Sequence, residues 1–324
     1  MPTRVIIDTD PGVDDALAIL LALRSPELEV VAITTVCGNV PVEQATRNVF
    51  RVLSLVRPPA SLLIGQGASR PLLRPLETAT HFHGTDGLGE LDRLRNADGS
   101  PRYQQPTLPR ILPTAQDVWN ECLRRYPREL TLITLGPLTN LASALAMDTS
   151  PVRKLRAVIS MGGALAVPGN VTPAAEFNIY ADPHAAERVA QSGLPLTLIP
   201  LDVGTQVALT RDAIRRLTAE TTDPVTRFLG DATAIALAFA EKTEGAAVFP
   251  LHDPLAVAVA IDPTLVKLAP LHVEVDTEGP TTRGKTVADP RSGGSRKSSP
   301  NLQAAVQVDG ARALALVQDR LCRR

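Results

Sequence analysis

The chain has 324 residues, 44% of them hydrophobic and 21% charged, which is ordinary for a globular enzyme and enough for one large α/β domain. A formal net charge of -1 offers no broad attraction to nucleic acid or to an anionic membrane, so neither partner is expected. Three dispersed cysteines, Cys37, Cys122 and Cys322, form no CxxC pair and argue against a disulfide framework and against structural zinc.

Residues 1–7 run into an apolar strand without a signal-peptide layout. No apolar run nears the ~20 residues of a membrane span, and a cytoplasmic location is the expectation. Residues 5–7 are predicted as the first strand and 15–23 as a helix capped by Asp14. A strand over 30–36 and a helix over 41–56 follow, then a short strand at 62–64. The spacing next predicts a helix over 114–126, a strand over 130–135, a helix over 138–147 and a strand over 157–161. A helix over 183–191 and a strand over 196–201 continue the alternation. Residues 276–301, rich in Gly, Ser, Pro, Arg and Thr, read as a long mobile loop before a last strand at 304–308 and a helix at 311–321.

Strands that are continuous apolar runs alternating with helices predict an α/β fold: one domain over 1–324, with a mixed, mostly parallel sheet flanked by helices. Ligands of such sheets bind beyond the carboxyl ends of the strands. There the chain places Asp8-Thr9-Asp10-Pro11-Gly12-Val13-Asp14-Asp15, Cys37-Gly38-Asn39, Leu135-Gly136-Pro137 and Met161-Gly162-Gly163.

Four aspartates within eight positions repel one another unless a cation compensates them. Carboxylate and carbonyl oxygens suit a hard ion such as Ca²⁺ or Mg²⁺, not zinc. An EF-hand is excluded, because its spaced acids and closing Glu are missing. A haloacid-dehalogenase-like phosphatase is disfavoured, because Gly12 stands where Thr or Val is expected and no convincing later Lys and Asp-Asp pair follows. Farther on, His252-Asp253-Pro254 opens an apolar helical stretch with Asp253 in a capping position. Asn170 and Glu176-Phe177-Asn178 combine hydrogen-bonding groups with an aromatic ring, as a sugar site requires. His81 and His83 lie in a Gly-rich segment suited to covering a site.

Taken together these blocks resemble the inosine–uridine nucleoside hydrolase family. The likeness starts at Asp8–Ala16 of the acidic run and continues through Thr35-Val36-Cys37-Gly38-Asn39-Val40, Ala45-Thr46-Arg47-Asn48, His83-Gly84 and Leu135-Gly136-Pro137-Leu138-Thr139-Asn140. It ends with Met161-Gly162-Gly163, Gly169-Asn170, Ala175-Glu176-Phe177-Asn178, His252-Asp253-Pro254 and Thr282-Arg283-Gly284, spanning about residues 5–290 in order. The resemblance implies a Ca²⁺ held by Asp10, Asp15, Asp253 and the carbonyl of Leu135, with Asp10 also the general base. It implies that Asp14, Asn39, Asn170, Glu176 and Asn178 bind ribose, that Met161 and Phe177 lie against the substrate, that His83 sits nearby on a covering loop and that His252 protonates the base.

The implied reaction is hydrolysis of the N-glycosidic bond of purine or pyrimidine ribonucleosides, by a homodimer or homotetramer. Nothing here is placed as a covalent nucleophile, and no Gly-rich loop with a following Lys offers a phosphate pocket, so direct displacement by water is favoured over phosphorolysis. The other reading is a catalytically silent nucleoside- or ribose-binding relative, which retention of all the side-chain positions disfavours. One departure stands out: Gly204 follows Leu201-Asp202-Val203 where the family often has Thr. The segment 225–249, expected to border the base, carries Phe228, Phe239 and Phe249 but no Tyr or Trp. The Ser- and Arg-rich stretch 291–300 has no functional account.

Overall fold

Val5, Ile6 and Ile7 are buried on both sides of the strand that carries them: Val5 and Ile7 pack with one helical layer, Ile6 with the other. The computed structural model describes residues 1–147, 151–289 and 299–322. Its first half runs β1 (Thr3–Thr9), α1 (Val13–Leu23), β2 (Leu28–Thr35), α2 (Val42–Leu53), β3 (Leu63–Gln66), α3 (Thr80–His83), α4 (Ala115–Arg125), β4 (Thr131–Thr134), α5 (Thr139–Leu145) and β5 (Ala157–Met161). The second half runs α6 (Phe177–Ala181), α7 (Pro183–Ala190), β6 (Leu196–Ile199), α8 (Leu201–Gly204), β7 (Ala208–Thr210), α9 (Arg211–Thr218), α10 (Pro224–Glu244) and β8 (Val248–Pro250). It closes with α11 (His252–Ile261), β9 (Val266–Val275), β10 (Thr286–Asp289), β11 (Leu302–Val308) and α12 (Gly310–Leu321).

Among the described residues nine strands form one sheet in the order β10-β9-β11-β6-β5-β4-β1-β2-β3. From β11 through β3 neighbours are parallel; β9 is antiparallel to both β10 and β11. This is the mixed, mostly parallel α/β sheet expected from the sequence. β7 and β8 pair separately as a small antiparallel ribbon. The chain moves outward from β1 to β2 and β3, then returns to put β4 on the other side of β1. The crevice between β1 and β4 is therefore a switch point, where the loops leaving adjacent strands diverge and make room for a ligand. The loops at that rim are tied together: the Leu135 N–H donates to the Asp8 carbonyl (2.8 Å) and the Val36 N–H to the Thr9 carbonyl (3.0 Å).

Three local expectations change. Gly12, not Asp14, is the N-cap of α1, and its N–H is received by the Asp15 carboxylate at 2.9 Å. Asp14 thereby sits inside the first turn and is free to face outward. Asp253 is not a cap either, because α11 begins at His252 and Leu251 precedes it. The stretch 276–301 is not one long loop: Asp276 accepts the N–H groups of Glu278 and Gly279 in a tight turn, and β10 follows. Residues 291–298 of the Ser- and Arg-rich stretch lie outside the described residues.

The long helix α10 and the strand β9 lie beyond the elements predicted from the sequence. α10 has readable ends, with Asp223 accepting the Thr226 N–H, Pro224 in the first turn and Gly245 left-handed at the close. Its Phe228, Leu229, Ala232, Ala236 and Ala240 recur at helical spacing on the buried side. Among the described residues no helix is long and apolar enough to cross a membrane.

Candidate active site

The acidic run folds as it does because Asp15 organises its own loop. One carboxylate oxygen accepts from the Thr9 hydroxyl (2.5 Å) and the Asp10 N–H (3.3 Å); the other accepts from the Gly12 N–H (2.9 Å) and the Asn39 amide (3.0 Å). The Asn39 backbone N–H donates to Asp10 Oδ2 at 2.6 Å, so the turn after β2 holds both aspartates. Asp10 Oδ1 is buried with no partner among the described residues, and so is Asp14 Oδ1. Glycine is required beside Asp10, since a Cβ at Gly38 or Gly136 would overlap its carboxylate.

Across the crevice α11 delivers Asp253, which is fully buried. One oxygen each from Asp14, Asp15 and Asp253 fall within 4.8 Å of one another. Burial, and then the neighbouring Asp15 charge, push Asp14 up to about 8 and raise Asp10 and Asp253 well above the ordinary carboxylate range. Like charges with orphaned oxygens and only oxygen donors are what a hard divalent cation would relieve. The trio includes Asp14, which the sequence assigns to ribose; Asp10, assigned to the metal, lies outside it. The Leu135 carbonyl already accepts the Asn178 amide at 2.6 Å.

A cavity of about 340 Å³ opens above this cluster. Asp14, Asn39, His83, Leu135, Met161, Asn170, Glu176, Phe177, Asn178, His252 and Asp253 all line it. Asp10 and Asp15 do not; they are buried beneath its floor. The polar walls are held from behind. Glu176 caps α6 by accepting the Asn178 (2.8 Å) and Ile179 (3.1 Å) N–H groups, and also accepts from Gly163 (2.9 Å). Burial raises its pKa, and those backbone donors oppose the rise. Asn170 Oδ1 accepts the Phe177 N–H at 2.9 Å, which leaves its amide for a ligand. Asn178 also donates to the Met161 sulfur at 3.3 Å.

His83 is fixed rather than loose: its Nδ1 accepts the Val13 N–H (3.1 Å) at the start of α1, which sets the proton on Nε2. Its loop is pinned by Asp86, which receives the Leu88, Glu90 and Asp92 N–H groups, and by the buried Arg51, paired with Asp92 (2.5 Å) and Asp86 (3.7 Å). Among the described residues His252 has no hydrogen-bond partner on Nδ1. Burial lowers both His83 and His252 to about 4, so both rings are neutral at pH 7.

The rest of the cavity lining is largely apolar and partly unforeseen. Phe82, Leu201, Phe239, Ala240, Val248 and Pro250 line it, with His81 and Thr205. His81 meets Phe239 at 5.7 Å between ring centroids. Phe239 comes from the segment expected to border the base, whereas Phe228 and Phe249 are buried core residues. Phe82, Leu201, Thr205 and Val248 carry no sequence signal apart from adjacency to recognised motifs.

The family model described as inosine-uridine preferring nucleoside hydrolase matches residues 5–315. The pyrimidine-specific ribonucleoside hydrolase RihA of Salmonella gallinarum is 36% identical over 322 residues, covering 99% of each chain. A plant nucleoside hydrolase structure superposes with a TM-score of 0.87 at 32% identity, covering 100% of both chains. The purine-preferring ribonucleoside hydrolase from Gardnerella vaginalis gives 0.85 at 34% identity over 98% of both. With a family model spanning nearly all of it and full-length relatives above 30% identity, the chain belongs to the inosine-uridine preferring nucleoside hydrolase family.

Proposed function

We propose that the chain carries out its family's reaction, hydrolysis of the ribonucleoside N-glycosidic bond, with a Ca²⁺ ion held by Asp10, Asp15, Asp253 and the Leu135 carbonyl. The observation that carries this reading is the cluster of buried carboxylates with orphaned oxygens under the floor of a polar-walled cavity at the β1/β4 switch point. Asp14 stands close enough to contribute an oxygen as well. When bound, the cation would polarise the attacking water and grip the ribose 2′ and 3′ hydroxyls.

Asp10 is the general base. Its Oδ2 is committed to the Asn39 N–H, and its buried Oδ1, without a hydrogen-bond partner among the described residues, would take the proton from water. Asn170, Glu176 and Asn178 orient the ribose, and the anionic groups favour positive charge on the sugar ring as the glycosidic bond lengthens. With the cavity carboxylates assigned to the cation and the ribose hydroxyls, water displaces the base directly and with inversion. His252 donates an N–H to the departing base; a neutral imidazole can do so, and negative charge growing on the base raises its proton affinity. The base lies against the apolar lining, Phe239 and Phe82. A homo-oligomer in the cytoplasm remains the expected setting.

The test is release of reducing sugar from inosine, uridine, cytidine and adenosine, with and without a Ca²⁺ chelator. Release that stops on chelation and returns with Ca²⁺ supports the reading and ranks the bases. Binding without release from any of the four would favour a silent nucleoside-binding protein.

A further inference from the structure

Gly204 closes the short helix α8 with an ordinary backbone, since its φ is not among the positive values of the chain. Nothing in its conformation calls for glycine. Its surroundings do. A Cβ there would overlap His252 Nδ1 and lie 3.3 Å from Cε1 and 3.5 Å from Cγ of the same ring. The imidazole thus occupies the volume a side chain at 204 would take, with Nδ1 enclosed and without a partner.

Both backbones are anchored. α8 is anchored by buried Leu201 and Val203, by the Leu201 N–H to the Gly163 carbonyl (2.9 Å), and by Asp202 receiving the Leu165 and Ala166 N–H groups (2.8 Å each). α11 is held by the Leu251 N–H to the Val207 carbonyl (2.8 Å) and by buried Asp253 in the acidic cluster. A side chain at 204 therefore displaces the ring of His252, and the space open to it is the cavity.

We infer that Gly204 is a positioning residue for His252: the missing side chain lets the imidazole sit back against α8, and so sets the ring's reach and the room left for the base. The inference rests on the reading that His252 faces the departing base. The family often has Thr here, so the setback of the ring is a feature of this chain's packing, and substitution by Ala should swing the ring into the cavity. Misplacing a group by about 1 Å can lower rate as much as ~100-fold, and the larger, bicyclic base should suffer more than a pyrimidine.

The experiment is a double-mutant cycle with Gly204→Ala, His252→Ala and the pair, measuring kcat and KM for inosine and uridine. Alongside it, imidazole resonances report which of the five histidines moves. Support is a fall of about tenfold or more in kcat/KM for inosine in Gly204→Ala, absent when His252 is already Ala, with the His252 resonances alone displaced. An equal loss in the His252→Ala background, or none in Gly204→Ala while His252→Ala is impaired, overturns the role of Gly204 and leaves that of His252 standing. Full activity of His252→Ala removes both. If Gly204→Ala does not fold, the pair should, because the obstructing ring is gone; a pair that also fails to fold overturns the inference.

Discussion

Stripping divalent cations and returning Ca²⁺ at controlled pH probes the acidic centre as a thermodynamic object, independent of turnover. Asp14 is raised from 3.8 to about 8, and Asp10 and Asp253 are raised too. A carboxylate with a raised folded pKa contributes stability that is complete below its unfolded pKa and lost as pH rises through the folded value. The metal-free protein should therefore weaken between about pH 4 and pH 8. A shift of roughly four units corresponds to a ceiling of about 5 kcal/mol, which solvent at the cavity face reduces.

A cation must displace protons from these groups, so it binds more tightly as pH rises across the same window. At about a hundred times its Kd it contributes roughly 2.7 kcal/mol. With ~2.1 cal/mol/K per residue, a chain of 324 residues has an unfolding entropy near 0.7 kcal/mol/K, and the expected rise in Tm is about 4 °C. Trp119, the one tryptophan, is buried with its Nε1–H on the Thr34 hydroxyl (3.0 Å) and gives a fluorescence signal for the melt. A Ca²⁺-induced shift that does not grow from about pH 5 to pH 8, or no shift at all, would refute the cation reading of the cluster.

Asp10→Asn should keep its fold and lose about 100-fold or more in kcat, since the base is removed and the shape kept; a near-normal rate would exclude Asp10 as the base. His252→Ala should slow inosine far more than a riboside with an activated leaving group; equal losses on both would argue against assistance to the leaving base. Arg51→Ala should lower stability by about 3 kcal/mol in urea and raise KM, because buried Asp86 loses its cation and the loop carrying His83 loosens. An unchanged midpoint and KM would remove that tether from the account.

The short strands with both faces buried announced the parallel sheet because continuous apolar runs have few other uses. Asp8–Asp15 announced an acidic centre, because four carboxylates so close in the chain oppose one another's ionisation unless something compensates them. Expected helix and strand ends moved by a few residues where capping depends on long-range partners. Gly12 caps α1 because Asp15 folds back onto it, while the Asp15 carboxylate is itself held by Asn39 from the next strand. α10 carried its own end signals, whereas β9 is a mixed strand whose exposure alternates irregularly and gives little periodicity to read.

By itself, then, the order of residues determined the fold class and the acidic run, since each depends on local pattern, while the polar residues from Asn39 to Asp253, which line one cavity, were picked out by the resemblance to a family. Only the tertiary structure decided how those residues share the work. Asp14 joins Asp15 and Asp253 across the crevice, Glu176 holds its own helix as it faces the cavity, and His83 is bound to the start of α1. It also decided that Gly204 and His252, 48 positions apart in the chain, occupy one another's space. Such relations arise from the packing of separate elements at the sheet rim, where distances are set by three-dimensional contacts that no spacing along the chain encodes.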